Sequence, residues 1–437
     1  MESIVGAVSN VLGSLGGPVL VAIVMFLLGL IFRAGFSAAL RGGLYTGIGL
    51  AALFVIVNAA TDALTPVIIA FSERFGTAGG QAITDVGWAS AGIAFAWPGL
   101  AFTIIATLGV NAILVLTGIQ KTMWTDIWSL WHGQVVGGMV WALTGGNITL
   151  GVLAATVFLT FNAFTADWTA KTYQKFNDLP GISVPCIVTI LALPAKPINW
   201  LFERIPGFKN LNASPEAIRK KVGIVGELGV MGALIGIVLA LLGGDYTVGA
   251  GQAFGDVLVS NIAAALNLGI QIGVLMVFLP KTVSTLCEGC IPIANAVTEF
   301  IQDRYEGKKE VYVAVDCAAL LGHPSVMASA VLLYPLSVVL AIFLPVNALI
   351  PIASLAIVPY WCGAIAPYFK GNVIRMVVFV LLWSIPTLLI ATWNAPLHTE
   401  TMYMVGLWED PAVLNSAYDM GGDPLGFLLI KIFGIFA

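Results

Sequence analysis

Apolar runs recur along the whole chain, interrupted only by short clusters of charge, glycine, proline or asparagine; VMASAVLLYPLSVVLAIFL at 326–344 is representative. A helix of about 17 to 25 such residues crosses ~30 Å of hydrocarbon, whereas a barrel strand would alternate polar and apolar positions. Hydrophobic residues make up 59% of the 437 and charged ones 10%, more apolar surface than a water-soluble fold of this length could hide. The composition therefore specifies an all-α polytopic membrane protein. The opening stretch, MESIVGAVSNVLGS, has no basic region or cleavage site and reads as part of the mature chain.

Eleven spans follow from the apolar runs, near 18–32, 43–66, 97–118, 128–143, 148–165, 222–242, 253–280, 326–344, 352–368, 376–394 and 423–436. Lysine and arginine stay on the cytoplasmic side of short loops. With the Arg33–Arg41 loop inside, alternation places every basic residue except Arg74 on that face, which puts the N-terminus outside and the C-terminus in the cytoplasm. Residues 67–80 and 284–310 read as amphipathic connectors.

Three segments, 81–97, 181–194 and about 311–325, are too short or too broken by glycine and proline to cross alone. Irregular backbone at membrane depth is tolerated where it packs inside protein or lines a wet cavity, so these are candidate re-entrant hairpins. Five spans precede the long 166–221 segment and five follow it before the last helix. An odd number per half turns the halves into opposite orientations, an inverted repeat. In each half an aspartate opens a broken segment: Asp85-Val-Gly-Trp88 from outside and Asp316-Cys-Ala-Ala319 from inside.

Ionisable groups at depth are costly unless paired or wet, which makes them candidates for substrate contact. Asp316 qualifies, although it could also cap a helix start. Asp85 has the same two readings. His323 precedes Pro324, where a helix cannot extend backward and the ring can reach a cavity. His132 follows two tryptophans that could form an interfacial belt. His398 falls in a stretch expected to be an external loop. Glu227 opens the sixth span, a position favourable to a carboxylate whatever its role. Trp88 and Trp97 could stack on a sugar or polyol, or simply pack.

Cys287-Glu-Gly-Cys290 has metal-ligand spacing but no companion pair, so a packing role is expected, with no metal and no cofactor. No Walker A, Gly-rich nucleotide fingerprint or His-Glu-x-x-His motif occurs, so no autonomous catalytic motif is present and ATP is not hydrolysed by this chain. Two powers remain for transport: a partner, or an ion gradient in which Asp85 and Asp316 bind the coupling ion.

Seven short motifs carry a resemblance. They are Asp85-Val-Gly-Trp88, the 126–132 run DIWSLWH, Ile205-Pro-Gly207, Gly226-Glu227, the segment from Asp316 to His323, Leu397-His-Thr399, and the 419–424 run DMGGDP. In this order they resemble the galactitol-type membrane component (IIC) of the bacterial phosphoenolpyruvate-dependent sugar phosphotransferase system, over nearly the full length. The resemblance implies import of a galactitol-like alditol, phosphorylated by a soluble IIB partner that carries the phosphoryl group on its own cysteine and is itself charged through IIA. It further implies an inner-membrane location. A more distant similarity to L-ascorbate IIC proteins implies a homodimer with a V-shaped scaffold and a mobile, elevator-type core. On that analogy residues 1–80 and 201–310 are scaffold, 81–200 and 311–395 are core, and 396–437 form an outer loop and last helix. No nucleic-acid partner is implied. Where the family carries His-Gly, this chain reads Cys186-Ile187 after Val184-Pro185.

Overall fold

The computed structural model describes residues 18–19, 21–75, 83–126, 129–208, 213, 224, 227–244, 246–249, 251–304, 310–351 and 353–436. Segments of the sequence reading that fall on 76–82, 209–212, 214–223 and 305–309, including most of the basic run around Arg219, lie outside the described residues.

The chain is overwhelmingly helical. Its first helices are α1 (Val21–Ile31) and α2 (Phe36–Phe75). Next come α3 (Gly92–Ala96), α4 (Leu100–Leu116), α5 (Leu130–Leu143), α6 (Ile148–Asn177) and α7 (Ala192–Phe202). The second half holds α8 (Leu228–Gly243), α9 (Phe254–Arg304), α10 (Pro324–Phe343), α11 (Val358–Ile365), α12 (Val373–Met404) and α13 (Pro424–Phe433). Among the described residues four helices are long and apolar enough to cross a membrane, or five if the bent pair Gly87–Ala96 and Leu100–Leu116 counts as one. Shorter apolar helices fill several of the remaining runs, among them Val21–Ile31, Ala353–Ile365 and Pro424–Phe433.

Helices α2 and α9 are continuous for 40 and 51 residues, so the stretches 67–75 and 284–304 extend spans instead of forming separate connectors. A helix satisfies its own backbone, and polar residues on one face do not end it. The two pack closely through small residues: a Cβ on Gly49 would stand 2.4 Å from the Leu286 nitrogen, and one on Gly289 would stand 2.4 Å from the Thr46 nitrogen. Helix α8 also packs on α9.

The other large packing unit centres on α5, α6, α10, α11 and α12, with Met139, Val140, Phe158, Leu159, Val331 and Phe379 among its buried side chains. Outward-facing residues such as Ile105, Ile113, Val259 and Ile270 are apolar and exposed, as a lipid-facing surface requires.

Short parallel strands tie distant parts together. β1 (Thr84–Asp85) pairs with β5 (Asn415–Ser416), and β2 (Thr122–Met123) and β3 (Ile182–Ser183) flank β4 (Tyr312–Ala314). His398, expected in an external loop, instead lies inside α12 and is fully buried, its Nδ1 2.7 Å from Asn415 Oδ1. The helix runs through Pro396 because its neighbours pack against it on several sides, where a proline is tolerated.

Candidate functional site

Four segments share one local form, in which one to three extended residues lead into a short 3-10 turn and then a helix. They are Thr84–Asp85 with Gly87–Ala91 and α3, Ile182–Ser183 with Ile187–Leu191 and α7, and Tyr312–Ala314 with Cys317–Leu320 and α10. The fourth, which the sequence reading took for a simple span, runs from the Leu349 bridge through Ala353–Ile357 into α11. Such a form leaves backbone N–H groups at the start of each turn needing acceptors, which side chains on the extended residues can supply.

Asp85 does this across two segments. It accepts the Gly87 N–H on Oδ1 at 3.1 Å and the Ser354 N–H on Oδ2 at 2.8 Å, and the Ser354 hydroxyl donates to Oδ1. The Ser354 hydroxyl oxygen in turn accepts the Tyr418 N–H at 3.0 Å. Gly87 has φ +49°, and a Cβ there would stand 2.7 Å from the Ala353 carbonyl carbon, so only glycine lets the two turns meet.

Asp316 accepts the Ala318 N–H at 2.7 Å, so its capping reading holds. It also lies within electrostatic reach of Asp126, which accepts the Ser129 N–H at 3.3 Å. Thr125 donates its hydroxyl to the Ala314 carbonyl at 2.6 Å, holding the two acidic stretches together. Cys186 and Cys317 face each other with sulfurs 3.1 Å apart, each at the start of its own 3-10 turn. Asp126 and Asp316 line a narrow crevice whose opposite wall is Met25, Thr46, Leu50, Leu286 and Cys290 of α1, α2 and α9.

Aromatic rings neighbour both acidic stretches. The Trp88 and Tyr360 centroids are 6.1 Å apart at 58°. Tyr360 is also within electrostatic range of Asp316, Cys317 and Cys186. Helix α11, which carries Tyr360, packs against both the 187–191 and 317–320 turns. Carboxylate acceptors and aromatic faces are the groups that suit a short hydroxyl-rich molecule.

The remaining predicted residues divide. His132 is buried beside this cluster, its Nδ1 3.2 Å from the Ser129 carbonyl and its ring stacked on Trp131 at 4.0 Å. His323 caps α10, with Nδ1 2.7 Å from Ser325 Oγ and the ring against Phe176 at 4.6 Å. Trp97 is 2% exposed, donates to Gln134 Oε1 at 2.8 Å, and abuts Gly99 and Gly151. Glu227 is exposed immediately before α8 and makes no side-chain cap to it.

Ser354, Tyr360 and Asp126 were not singled out from the sequence. Asp126 opens the 126–132 run DIWSLWH, while Ser354 and Tyr360 lie in an uncharged apolar run. Among the described residues no group of three or more His, Cys, Asp or Glu could hold a metal ion.

Comparison with known proteins identifies the family of the sequence. The sequence model described as the PTS system sugar-specific permease component, EIIC-GAT, matches residues 10–412. The chain is 33% identical over 389 residues to a protein of Escherichia coli (strain K12) named only as a permease IIC component, covering 89% of this chain and 85% of that one. It is 26% identical over 422 residues to the galactitol-specific EIIC component of the same strain, covering 96% of this chain and 89% of the relative. The galactitol-specific EIIC component of Escherichia coli O157:H7 matches to the same extent. With most of its length matched by the family and by a relative of this similarity, the chain belongs to the EIIC-GAT family of sugar-specific permease components of the phosphotransferase system, integral membrane proteins.

Proposed function

We propose that this protein imports a galactitol-like alditol, delivering it to a IIB partner that phosphorylates it. The observation that carries the substrate class is the pairing of Asp85 with Ser354 and the nearness of Asp316 to Asp126, with the Trp88–Tyr360 aromatic pair neighbouring both stretches. A polyol entering from water gives up a hydrogen bond at each hydroxyl, and carboxylates with nearby hydroxyls replace them. His132 and His323 complete the proposed set, with Glu227 and Trp97 in supporting positions.

In this reading the chain makes about eleven crossings arranged as two inverted halves, with the N-terminus outside and the C-terminus in the cytoplasm of a bacterial inner membrane. Residues 1–80 and 201–310 form the scaffold of a homodimer, and 81–200 with 311–395 form a core that slides along it. The crevice between Asp126–Asp316 and Met25–Leu50–Leu286 is where those two parts would part. Once the substrate faces inward, a hydroxyl attacks the phosphoryl group carried on the IIB cysteine. The thiolate leaves, the hydroxyl proton passes to a nearby base, and the product is a sugar phosphate. A dianionic phosphate pays a large desolvation cost to recross, so import is one-way.

Uptake into proteoliposomes tests this. Galactitol phosphate appearing only when phosphorylated IIB and its IIA donor are enclosed supports the proposal. Gradient-driven accumulation of the unmodified alditol without IIB would overturn it in favour of an ion-coupled carrier.

A further inference from the structure

A second cavity lies away from the acidic cluster, between the turn joining α1 to α2 and the last third of α9. It has a volume of about 590 Å³ and is lined by Phe32, Arg33, Ala34, Ala38, Pro292, Asn295, Ala296, Glu299 and Phe300. Arg33 adopts a left-handed backbone (φ 62°), followed by Gly35 at φ 82°, a conformation that costs a non-glycine residue about 1–2 kcal/mol and here turns the arginine into the cavity wall. Its guanidinium sits over the Phe300 ring, 5.8 Å from the centroid. Among the described residues no ion pair joins Arg33 to Glu299, although both line the same space. Beside it, Leu30, Ile31, Phe36 and Leu40 are exposed and apolar, a collar suited to lipid.

A cation and an anion lining one space without pairing, with an amide on the same lining and exposed apolar side chains beside it, match a zwitterionic headgroup still attached to its acyl chains. We propose that this cavity holds the headgroup of a phosphatidylethanolamine molecule. Arg33 takes the phosphate, Glu299 takes the primary ammonium, and Asn295 bonds either. An ammonium with three N–H donors suits a carboxylate, whereas a choline headgroup has none to offer. The proposal does not depend on the transported substrate. It assigns a lipid site to the seam of α1, α2 and α9.

The test uses the full-length protein, delipidated in detergent and titrated with phosphatidylethanolamine, phosphatidylglycerol or phosphatidylcholine of one acyl composition, or with acyl-free glycerophosphoethanolamine. Native mass spectra and thermal unfolding are the readouts. Wild type is expected to retain one phosphatidylethanolamine per protomer and to gain thermal stability from it, with at least about tenfold weaker retention of the other two lipids, equivalent to ~1.4 kcal/mol. Both Arg33→Gln and Glu299→Gln should abolish that preference while keeping native secondary structure, since both residues are exposed. Equal retention of all three lipids overturns the proposal, as does an undiminished preference in Glu299→Gln. Tight binding of glycerophosphoethanolamine alone would replace the lipid with a soluble phosphate ester. Loss of dimer mass in Arg33→Gln without any lipid effect would make the cavity a contact between copies. The wild-type lipid series remains decisive even if one variant fails to fold.

Discussion

Ser354 holds Asp85 through both its backbone N–H and its hydroxyl, joining two broken segments separated by 269 residues in sequence. That clasp fixes where the Asp85 carboxylate stands.

Removing the hydroxyl in Ser354→Ala leaves the backbone bond but strips one donor from a carboxylate oxygen. The expected cost is about 1–3 kcal/mol, or ~5- to 150-fold in substrate affinity. Titration of galactitol against purified wild type and variant measures it, and unchanged affinity would separate Asp85 from substrate binding.

Asp316→Asn should abolish galactitol binding with normal protein yield, because the amide still fills the space and one oxygen can still accept the Ala318 N–H. Asp126→Asn removes a neighbouring negative charge and should have a smaller effect. Near-normal affinity in Asp316→Asn would take Asp316 off the site.

Cys186 and Cys317 are in contact, sulfur to sulfur, and Cys186 stands where the family resemblance leads one to expect a histidine. Installing that ring alone, as Cys186→His, should overpack the contact and cost about 1–3 kcal/mol of stability. Adding Cys317→Ala makes room and should recover most of the loss. Thermal unfolding of the two variants against wild type reads the coupling, and additive effects would place the added ring elsewhere.

Gly87→Ala adds a methyl 2.7 Å from the Ala353 carbonyl carbon at a positive φ. Strain of about 1–2 kcal/mol and overpacking of ~1–3 kcal/mol should lower the unfolding temperature and loosen the Asp85 clasp. A variant as stable as wild type would mean that the 87–91 and 353–357 turns do not meet.

Lys121 Nζ lies 2.8 Å from Glu310 Oε2, and Lys171 lies 3.5 Å from Oε1. The hydrogen bond from Lys121, with lesser charge contributions from both lysines, holds the Glu310 carboxyl below its ordinary 4.5. A depressed carboxylate contributes stability that is present above the unfolded value and lost as pH falls through the folded one. The stability gap between wild type and Glu310→Gln should therefore be small but steady above pH 4.5 and close below it. A gap that widens in acid would contradict the pair.

Much of this layout was readable in advance. Asp85, Asp316 and the glycine- or proline-broken stretches around them stood out because acids and backbone breaks are expensive in apolar sequence. The fourth broken segment did not, since Asn347-Ala-Leu-Ile-Pro351-Ile-Ala-Ser354 has no charge and has the hydropathy of an ordinary span. Tyr360 was lost with it. Helix ends were also misjudged: α9 continues to Arg304 and α12 through His398, because local polarity does not stop a helix whose backbone is already satisfied. Pairings such as Thr84 with Asn415 depend on contacts more than 300 residues apart, which no local pattern encodes.

Helix α9 holds 51 residues and so has a contour of about 77 Å, against ~40–45 Å for a bilayer with its headgroups. Nearly half of this rod must either lean far from the membrane normal or project into water. A rod that long, bound along its flank to α2 and α8, works as a girder: push on its protruding end and the force reaches residues lining the Asp126–Asp316 crevice without passing through a hinge loop.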